Sequence, residues 1–244
     1  MYTFEWQTFI LVLLCMVFAR SAAMGFNRYA DKDIDARNER TATVREIPTG
    51  KISPKTALIF VLVNCMLFIL CTYFINDICF YLSPIALLII LGYSYTKRFT
   101  ALCHFILGLG LSLAPIGAYL AVVGSFAWLP LYYSFAVLFW VTGFDIIYSM
   151  QDFEFDKKLK LKSLPVFFGK NGSLILARIL HFFSALFIVL AGLHAEFGLI
   201  YWIGAAVFCL LLVYQHSIVS AKNLSRVNFA FFTTNGIASV IFAV

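Results

Sequence analysis

The stretch TALIFVLVNCMLFILCTYFI, residues 56–75, decides the fold because it contains no charged side chain. An α-helix needs about 20 apolar residues to cross the hydrocarbon core of a bilayer. Similar runs recur along the chain, and they predict eight spans, at residues 6–24, 56–75, 78–95, 101–123, 127–149, 173–193, 197–218 and 227–244. A transmembrane barrel needs short alternating strands, which these runs do not show. We therefore expect an all-α, multi-pass transmembrane helical bundle.

The composition supports this expectation. Of the 244 residues, 62% are hydrophobic and only 12% are charged, whereas a soluble domain carries about 25% charged residues. The lipid bilayer is therefore the expected environment. No connection between the spans is long enough for a soluble domain, so the sequence predicts one transmembrane domain over residues 1–244.

The net charge of +6 follows the membrane topology. Lysine and arginine occur in the first, third, fifth and seventh connections, and the second, fourth and sixth have none. Positively charged connections remain on the cytoplasmic side. We therefore expect the odd-numbered connections to be cytoplasmic, and we expect no nucleic-acid partner.

Acidic side chains are concentrated in two clusters. Of the 12 acidic residues, seven lie within residues 27–35 and 145–156, each at the end of a hydrophobic span. In the first cluster, Asn27, Asp31 and Asp35 are spaced four residues apart, so that a helix presents them on one face. Arg20 lies two turns deeper on nearly the same face. A charge at mid-membrane costs about 2.5–3.5 kcal/mol, so Arg20 needs a partner or a polar cavity.

The second cluster has similar spacing. Asp145, Asp152 and Asp156 are separated by seven and four residues and share one helix face, with Tyr148 at its margin. Asp145 lies inside an apolar helix, where an ionisable residue indicates a functional site.

Two carboxylate clusters on the same membrane side would repel each other unless cations lay among them. Mg²⁺ prefers hard oxygen ligands and is typically bound by a few carboxylates together with substrate phosphates. Ca²⁺ and a cation pathway through the membrane are the alternatives. Arg40, Arg45, Lys51, Lys97 and Arg98 follow the acidic positions, and such cations obstruct a channel but complement a diphosphate.

The first motif resembles that of the UbiA superfamily of intramembrane aromatic polyprenyltransferases. Asn27, Asp31 and Asp35 match the family pattern N-x-x-x-D-x-x-x-D, and Arg20 occupies the position of an arginine that precedes it.

Three further segments carry the resemblance over essentially the whole chain. Tyr148, Asp152 and Asp156 resemble the second motif, Y-x-x-x-D-x-x-x-D, with Asp145 upstream. Residues 93–100 resemble the segment Y-P-x-x-K-R-x-T, and residues 40–50 resemble R-T-x-x-R-x-x-P-x-G.

The chain departs from the family pattern in three ways. Ser94 replaces a proline, and the gap between Thr41 and Arg45 is one residue longer than usual. The family has nine transmembrane helices, and its first motif follows the second of them. Here the motif follows the first span, so we expect one amino-terminal helix to be missing.

The resemblance implies Mg²⁺-dependent transfer of a polyprenyl group from its diphosphate to a small aromatic acid. It implies metal binding by Asn27, Asp31, Asp35, Asp152 and Asp156, of which the four aspartates are the expected catalytic residues. The remaining expected substrate-binding residues are Arg20, Arg45, Lys97, Arg98, Asp145 and Tyr148.

The expected acceptor is 4-hydroxybenzoate. The amino-acid sequences around both motifs are similar to those of a bacterial subgroup that is often labelled 4-hydroxybenzoate polyprenyltransferase-like. We accordingly expect the chain in a bacterial cytoplasmic membrane. A dihydroxynaphthoate of menaquinone synthesis is the first alternative acceptor. Haem, homogentisate, chlorophyllide and lipid acceptors rank lower. The alternatives from another class are a cation transporter and an inactive fragment that serves as a membrane partner.

Overall fold

The computed structural model describes residues 4–243, which are helical over most of their length. The α-helices are α1 (Trp6–Ala30), α2 (Lys32–Asp35), α3 (Glu39–Ala42), α4 (Pro54–Ile75), α5 (Asp77–Thr96), α6 (Cys103–Val123), α7 (Trp128–Ser149), α8 (Phe153–Lys158), α9 (Leu164–His194), α10 (Leu199–Ile218) and α11 (Asn235–Ala243). A 3₁₀ turn, Met150–Asp152, joins α7 to α8, and a π-helix, Phe229–Thr234, precedes α11.

The expected helical membrane protein is confirmed, with one correction to the number of spans. Within residues 4–243, seven helices are long and apolar enough to cross a membrane, not eight. The predicted span at 227–244 instead forms the six-residue π-helix and the nine-residue α11. Polar residues interrupt this apolar run, since Thr234 and Asn235 are buried and Asn235 accepts a hydrogen bond from Trp140 Nε1 at 3.3 Å.

The chain divides into two compact units. The first contains the residues up to Thr96 together with Ile116–Phe126. In it α1 packs along α4, and α5 contacts both of these helices. Ser53 caps α4 by accepting a hydrogen bond from the Thr56 backbone N–H, and Pro54 occupies the first turn. Asn76, at the turn into α5, donates to the Leu120 carbonyl oxygen at 2.9 Å.

The second unit contains Lys97–Pro115 and the described residues from Ala127 onward. The pair α7 and α9 forms its centre, and α10 packs against α9 and α11. Ile146, Ile147 and Met150 are almost fully buried in its larger apolar cluster. Gly169, with φ of 70°, breaks the regular helix near the start of α9. The predicted connection at 150–172 is therefore largely helical, since α9 already begins at Leu164.

Gly143 allows α7 to approach α9 closely. A Cβ atom at Gly143 would overlap the His181 ring and would lie 3.3 Å from the Ala177 carbonyl oxygen. At Gly117 of α6, by contrast, a Cβ atom would meet nothing within 4 Å.

We predict that Gly143→Ala destabilises the protein by about 1–3 kcal/mol, the usual cost of overpacking. Unfolding in mixed detergent micelles measures the loss. Gly117→Ala is the matched control, and we expect it to be neutral or stabilising because alanine favours the helix. Equal stability of the two variants would show that the close packing at Gly143 is not needed.

Candidate active site

The first acidic motif lies where α1 ends and α2 begins. Asp31 separates the two helices with φ of −95° and ψ of 7°. Helical backbone bonds continue through this break, because Asp31 N–H donates to the Asn27 carbonyl oxygen at 2.9 Å and Asp35 N–H donates to that of Asp31 at 2.7 Å. The three residues therefore keep their predicted helical spacing.

A short polar network holds the motif together. The Asn27 side-chain amide donates to Asp31 Oδ2 at 3.0 Å, and its oxygen accepts from Arg28 at 3.2 Å. Arg28 Nε also lies 3.6 Å from Glu46 Oε2. The network fixes the orientation of Asn27 and leaves one lone pair of its amide oxygen for another contact.

Two predicted substrate-binding arginines differ in exposure. Arg20, inside α1, is exposed and forms no ion pair with another residue in 4–243, so the partner expected for it is not among them. Arg45 is half-buried in the loop that follows α3, where its backbone N–H donates to the Thr41 carbonyl oxygen at 2.9 Å.

The second motif lies at an equivalent helix end. α7 ends at Ser149, and the 3₁₀ turn leads to Asp152, which has φ of −95° and ψ of 8°. Asp152 and Asp31 thus share one backbone conformation. Asp31 lies directly between α1 and α2, whereas Asp152 is the last residue of the 3₁₀ turn between α7 and α8. This conformation lies in the bridge region of φ/ψ space, and the helix ends at Leu159 and Ala195 adopt it as well.

Asp156 is held differently from Asp152. Its side chain is fully buried, and Lys97 Nζ lies 2.7 Å from its Oδ1. The loop that contains Lys97 is fixed by the segment after α8, because the Lys97 carbonyl oxygen accepts from Lys162 N–H at 2.8 Å and Lys162 Nζ donates to the Phe99 carbonyl oxygen at 3.0 Å. Asp156, which was predicted to bind the metal, and Lys97, which was predicted to bind the substrate, therefore contact each other directly.

Asp145 and Tyr148 lie on the last turns of α7 and are partly buried. Asp145 Oδ2 is 2.6 Å from Nδ1 of His104 on α6. The sequence offered no signal for this contact, because His104 belongs to no recognisable ligand spacing. The Tyr148 ring meets Phe232 edge-on, with ring centroids 6.2 Å apart.

Both the sequence and the fold match known proteins. Residues 2–237 match the UbiA prenyltransferase family. The chain belongs to this family. A 4-hydroxybenzoate octaprenyltransferase of Aliivibrio fischeri (strain MJ11) is 35% identical over 98% of this chain and 82% of its own length. The enzyme of the same name from Vibrio campbellii (strain ATCC BAA-1116) is 29% identical over 97% and 83%.

Solved UbiA structures share the fold. The apo structure of a UbiA homolog from Aeropyrum pernix K1 superimposes with a TM-score of 0.91 at 30% identity, covering 99% of this chain and 89% of that one. A UbiA homolog from Archaeoglobus fulgidus bound to GPP and Mg²⁺ gives a TM-score of 0.70 at 21% identity, covering 98% and 89%.

The oxygen-rich side chains of both motifs suit a magnesium ion. In the described part of the chain, no three His, Cys, Asp or Glu side chains are grouped closely enough to hold a metal by themselves. Mg²⁺ does not need such a group, because it keeps several waters and is usually bound by one or two carboxylates together with substrate phosphates. The carboxylates of Asp31, Asp35 and Asp152 fit that ligand chemistry in this UbiA chain.

Lys97→Met tests the ion pair with Asp156, because it leaves a buried carboxylate without its cation. We expect a stability loss of about 2–3 kcal/mol in denaturant titrations, less than for a fully buried pair because 28% of the Lys97 side chain is exposed. Lys158→Met removes an exposed lysine at the end of α8 and is the control, with little expected effect. If the two variants unfold alike, the pair does not stabilise the fold.

Proposed function

We propose that this UbiA protein transfers a polyprenyl group from polyprenyl diphosphate to 4-hydroxybenzoate in quinone biosynthesis. One observation carries the proposal: two long apolar helices each lead into a pair of aspartates spaced four residues apart, Asp31 with Asp35 and Asp152 with Asp156. Relatives of the chain are named for this reaction. A UbiA homolog of the same fold has been solved with GPP and Mg²⁺.

The two motifs are the proposed metal and diphosphate sites. Asn27, Asp31 and Asp35 contribute an amide and two carboxylates from one motif, and Asp152 and Asp156 contribute carboxylates from the other. Bound Mg²⁺ would neutralise the diphosphate and act as a Lewis acid on the departing pyrophosphate. We assign the four aspartates to this catalytic role.

Cationic side chains complement the charge that remains on the diphosphate. Arg45 and Arg98 are proposed to donate charge-assisted hydrogen bonds to it. Lys97 pairs with buried Asp156 at 2.7 Å. It would thereby place a positive charge next to the second motif and reach the diphosphate from that position.

The carbon–carbon bond forms as the ester bond breaks. The bond between the allylic carbon and the diphosphate oxygen breaks, and pyrophosphate leaves with the electron pair. A ring carbon of the phenol then attacks the electron-deficient allylic carbon and later loses its proton. Water would capture that carbon first if it entered, so the apolar helices have to exclude it.

A carboxylated phenol suits the remaining polar side chains. Arg20 is the proposed partner of the acceptor carboxylate, since an exposed guanidinium inside an apolar helix is otherwise costly. Asp145 and Tyr148, at the end of α7, are proposed to contact the ring.

The seven long apolar helices indicate an integral membrane protein. We propose that it resides in a bacterial cytoplasmic membrane and that the connections rich in lysine and arginine face the cytoplasm. The family match extends over residues 2–237, and we propose that the whole chain works as a single prenyltransferase domain.

The proposed reaction is tested with membranes that contain the protein, Mg²⁺, octaprenyl diphosphate and one aromatic acid at a time, and with product identification by mass spectrometry. We expect octaprenylated 4-hydroxybenzoate. Asp31→Asn and Asp152→Asn should each lower kcat/KM by about 10²–10³-fold, as is typical for the loss of a group that stabilises developing charge.

Asp33→Asn is the matched control, because Asp33 is an exposed neighbour off the motif face and its loss should leave the rate close to wild type. Product formed only from a dihydroxynaphthoate would reassign the acceptor. No product from any acid would overturn the proposed reaction.

A further inference from the structure

A buried histidine supports Asp145 from the neighbouring helix. His104, in the first turn of α6, places Nδ1 2.6 Å from Asp145 Oδ2. Since a carboxylate oxygen accepts, Nδ1 is the donor, and a contact this short to a charged acceptor is a strong hydrogen bond. Both residues belong to the second unit of the chain.

The contact depends on close packing of α6 and α7. The Thr142 hydroxyl donates to the Leu138 carbonyl oxygen at 2.7 Å and also reaches the His104 carbonyl oxygen at 3.4 Å. A Cβ atom at Gly108 would overlap Thr142 and Leu138, so only glycine permits this approach. The backbone on both sides of the His104–Asp145 contact is therefore fixed.

Burial is unequal within the pair. The His104 side chain is 5% exposed, whereas 21% of the Asp145 side chain remains accessible. His104 Nε2 has no hydrogen-bond partner among residues 4–243. Nδ1 of the imidazole is thus engaged with Asp145, and the carboxylate keeps an accessible part for another molecule.

The need to fill space between the helices does not explain why two ionisable side chains, His104 and Asp145, lie at this poorly exposed position. Removing a carboxylate and an imidazole from water is costly, and apolar residues of similar volume are often as stable or more so. At reactive carboxylates and imidazoles, a hydrogen bond from a second residue fixes the orientation of the reactive group and sets its basicity.

We propose that His104 is a positioning residue that orients Asp145, so that Asp145 accepts the proton that the acceptor ring loses. This inference rests on the proposed prenyl transfer. After the ring carbon has bonded to the allylic carbon, one ring C–H bond breaks and its electron pair restores aromaticity. The proton passes to the carboxylate of Asp145 and from there to water, and pyrophosphate is the other product.

The test compares His104→Leu, His104→Asn, Asp145→Asn and the double variant His104→Leu/Asp145→Asn. Steady-state kinetics would be measured with octaprenyl diphosphate and 4-hydroxybenzoate, and melting temperatures in detergent would be recorded in parallel. His104→Asn keeps an N–H donor near the position of Nδ1, whereas His104→Leu removes it. His194→Gln, at an exposed histidine, is the control.

We expect Asp145→Asn to lower kcat by about 10²-fold, the lower range for general base catalysis. His104→Leu should lower kcat by about tenfold or more, with an unchanged KM for octaprenyl diphosphate, and His104→Asn should recover part of this loss. The double variant should be no slower than Asp145→Asn, because a residue that acts through another adds nothing once that residue is gone.

Three results would overturn the inference: an unchanged kcat in His104→Leu, a double variant slowed by the product of the two single effects, or a loss in both His104 variants that follows the melting temperature. An active wild type with any of these results refutes only the role of His104. A wild type that prenylates no aromatic acid refutes the proposed function, and this inference with it.

Discussion

A carboxylate at the edge of a hydrocarbon layer is stable only when it is hydrogen-bonded, paired with a cation or bound to a metal, and this constraint governs the chain. The structure meets it in three different ways. Asp31 accepts from the Asn27 amide within its own helix turn, and buried Asp156 lies against Lys97. Asp145 accepts from a buried histidine on the next helix. Each carboxylate is thus held in a defined position before any substrate binds, which reduces the reorganisation that catalysis requires.

The positions of Asp31 and Asp152, each following a long apolar helix, relate the fold to the proposed reaction. In the first motif α1 ends directly before Asp31, and in the second a 3₁₀ turn connects α7 to Asp152. A short helix then carries the second aspartate of each pair. A helix that continued without interruption would keep the first carboxylate in regular geometry. The break gives each aspartate the same local geometry at the end of the apolar span, where a charged diphosphate attached to an apolar tail would be placed. Each pair therefore offers carboxylate oxygens, the ligand type that divalent cations such as Mg²⁺ prefer.

Hydropathy predicted most of the helices closely. The span expected at 56–75 is α4, Pro54–Ile75, and that expected at 197–218 is α10, Leu199–Ile218. The eighth span was wrong because hydropathy gives little weight to buried polar residues such as Asn235, whose side-chain oxygen accepts a hydrogen bond from Trp140. Helical spacing also predicted the backbone of the first motif, where helical hydrogen bonds run from Asn27 through Asp31 to Asp35. The one-helix geometry expected for the second cluster is interrupted by the 3₁₀ turn at Met150–Asp152.

Sequence spacing did not predict the breaks at Asp31 and Asp152, since neither position carries glycine or proline. The contacts of Lys97 with Asp156 and of His104 with Asp145 join residues far apart in the chain. Neither residue spacing nor local sequence pattern indicates contacts between such distant residues.

The most direct test of the central claim is calorimetric titration of the purified protein with a non-hydrolysable polyprenyl diphosphate analogue, in Mg²⁺ and in EDTA. We predict binding that requires Mg²⁺ and that Asp31→Asn and Asp152→Asn each weaken strongly, because both motifs are proposed to hold the metal through which the diphosphate binds. Equal affinity in EDTA, or unchanged affinity in both variants, would contradict the account.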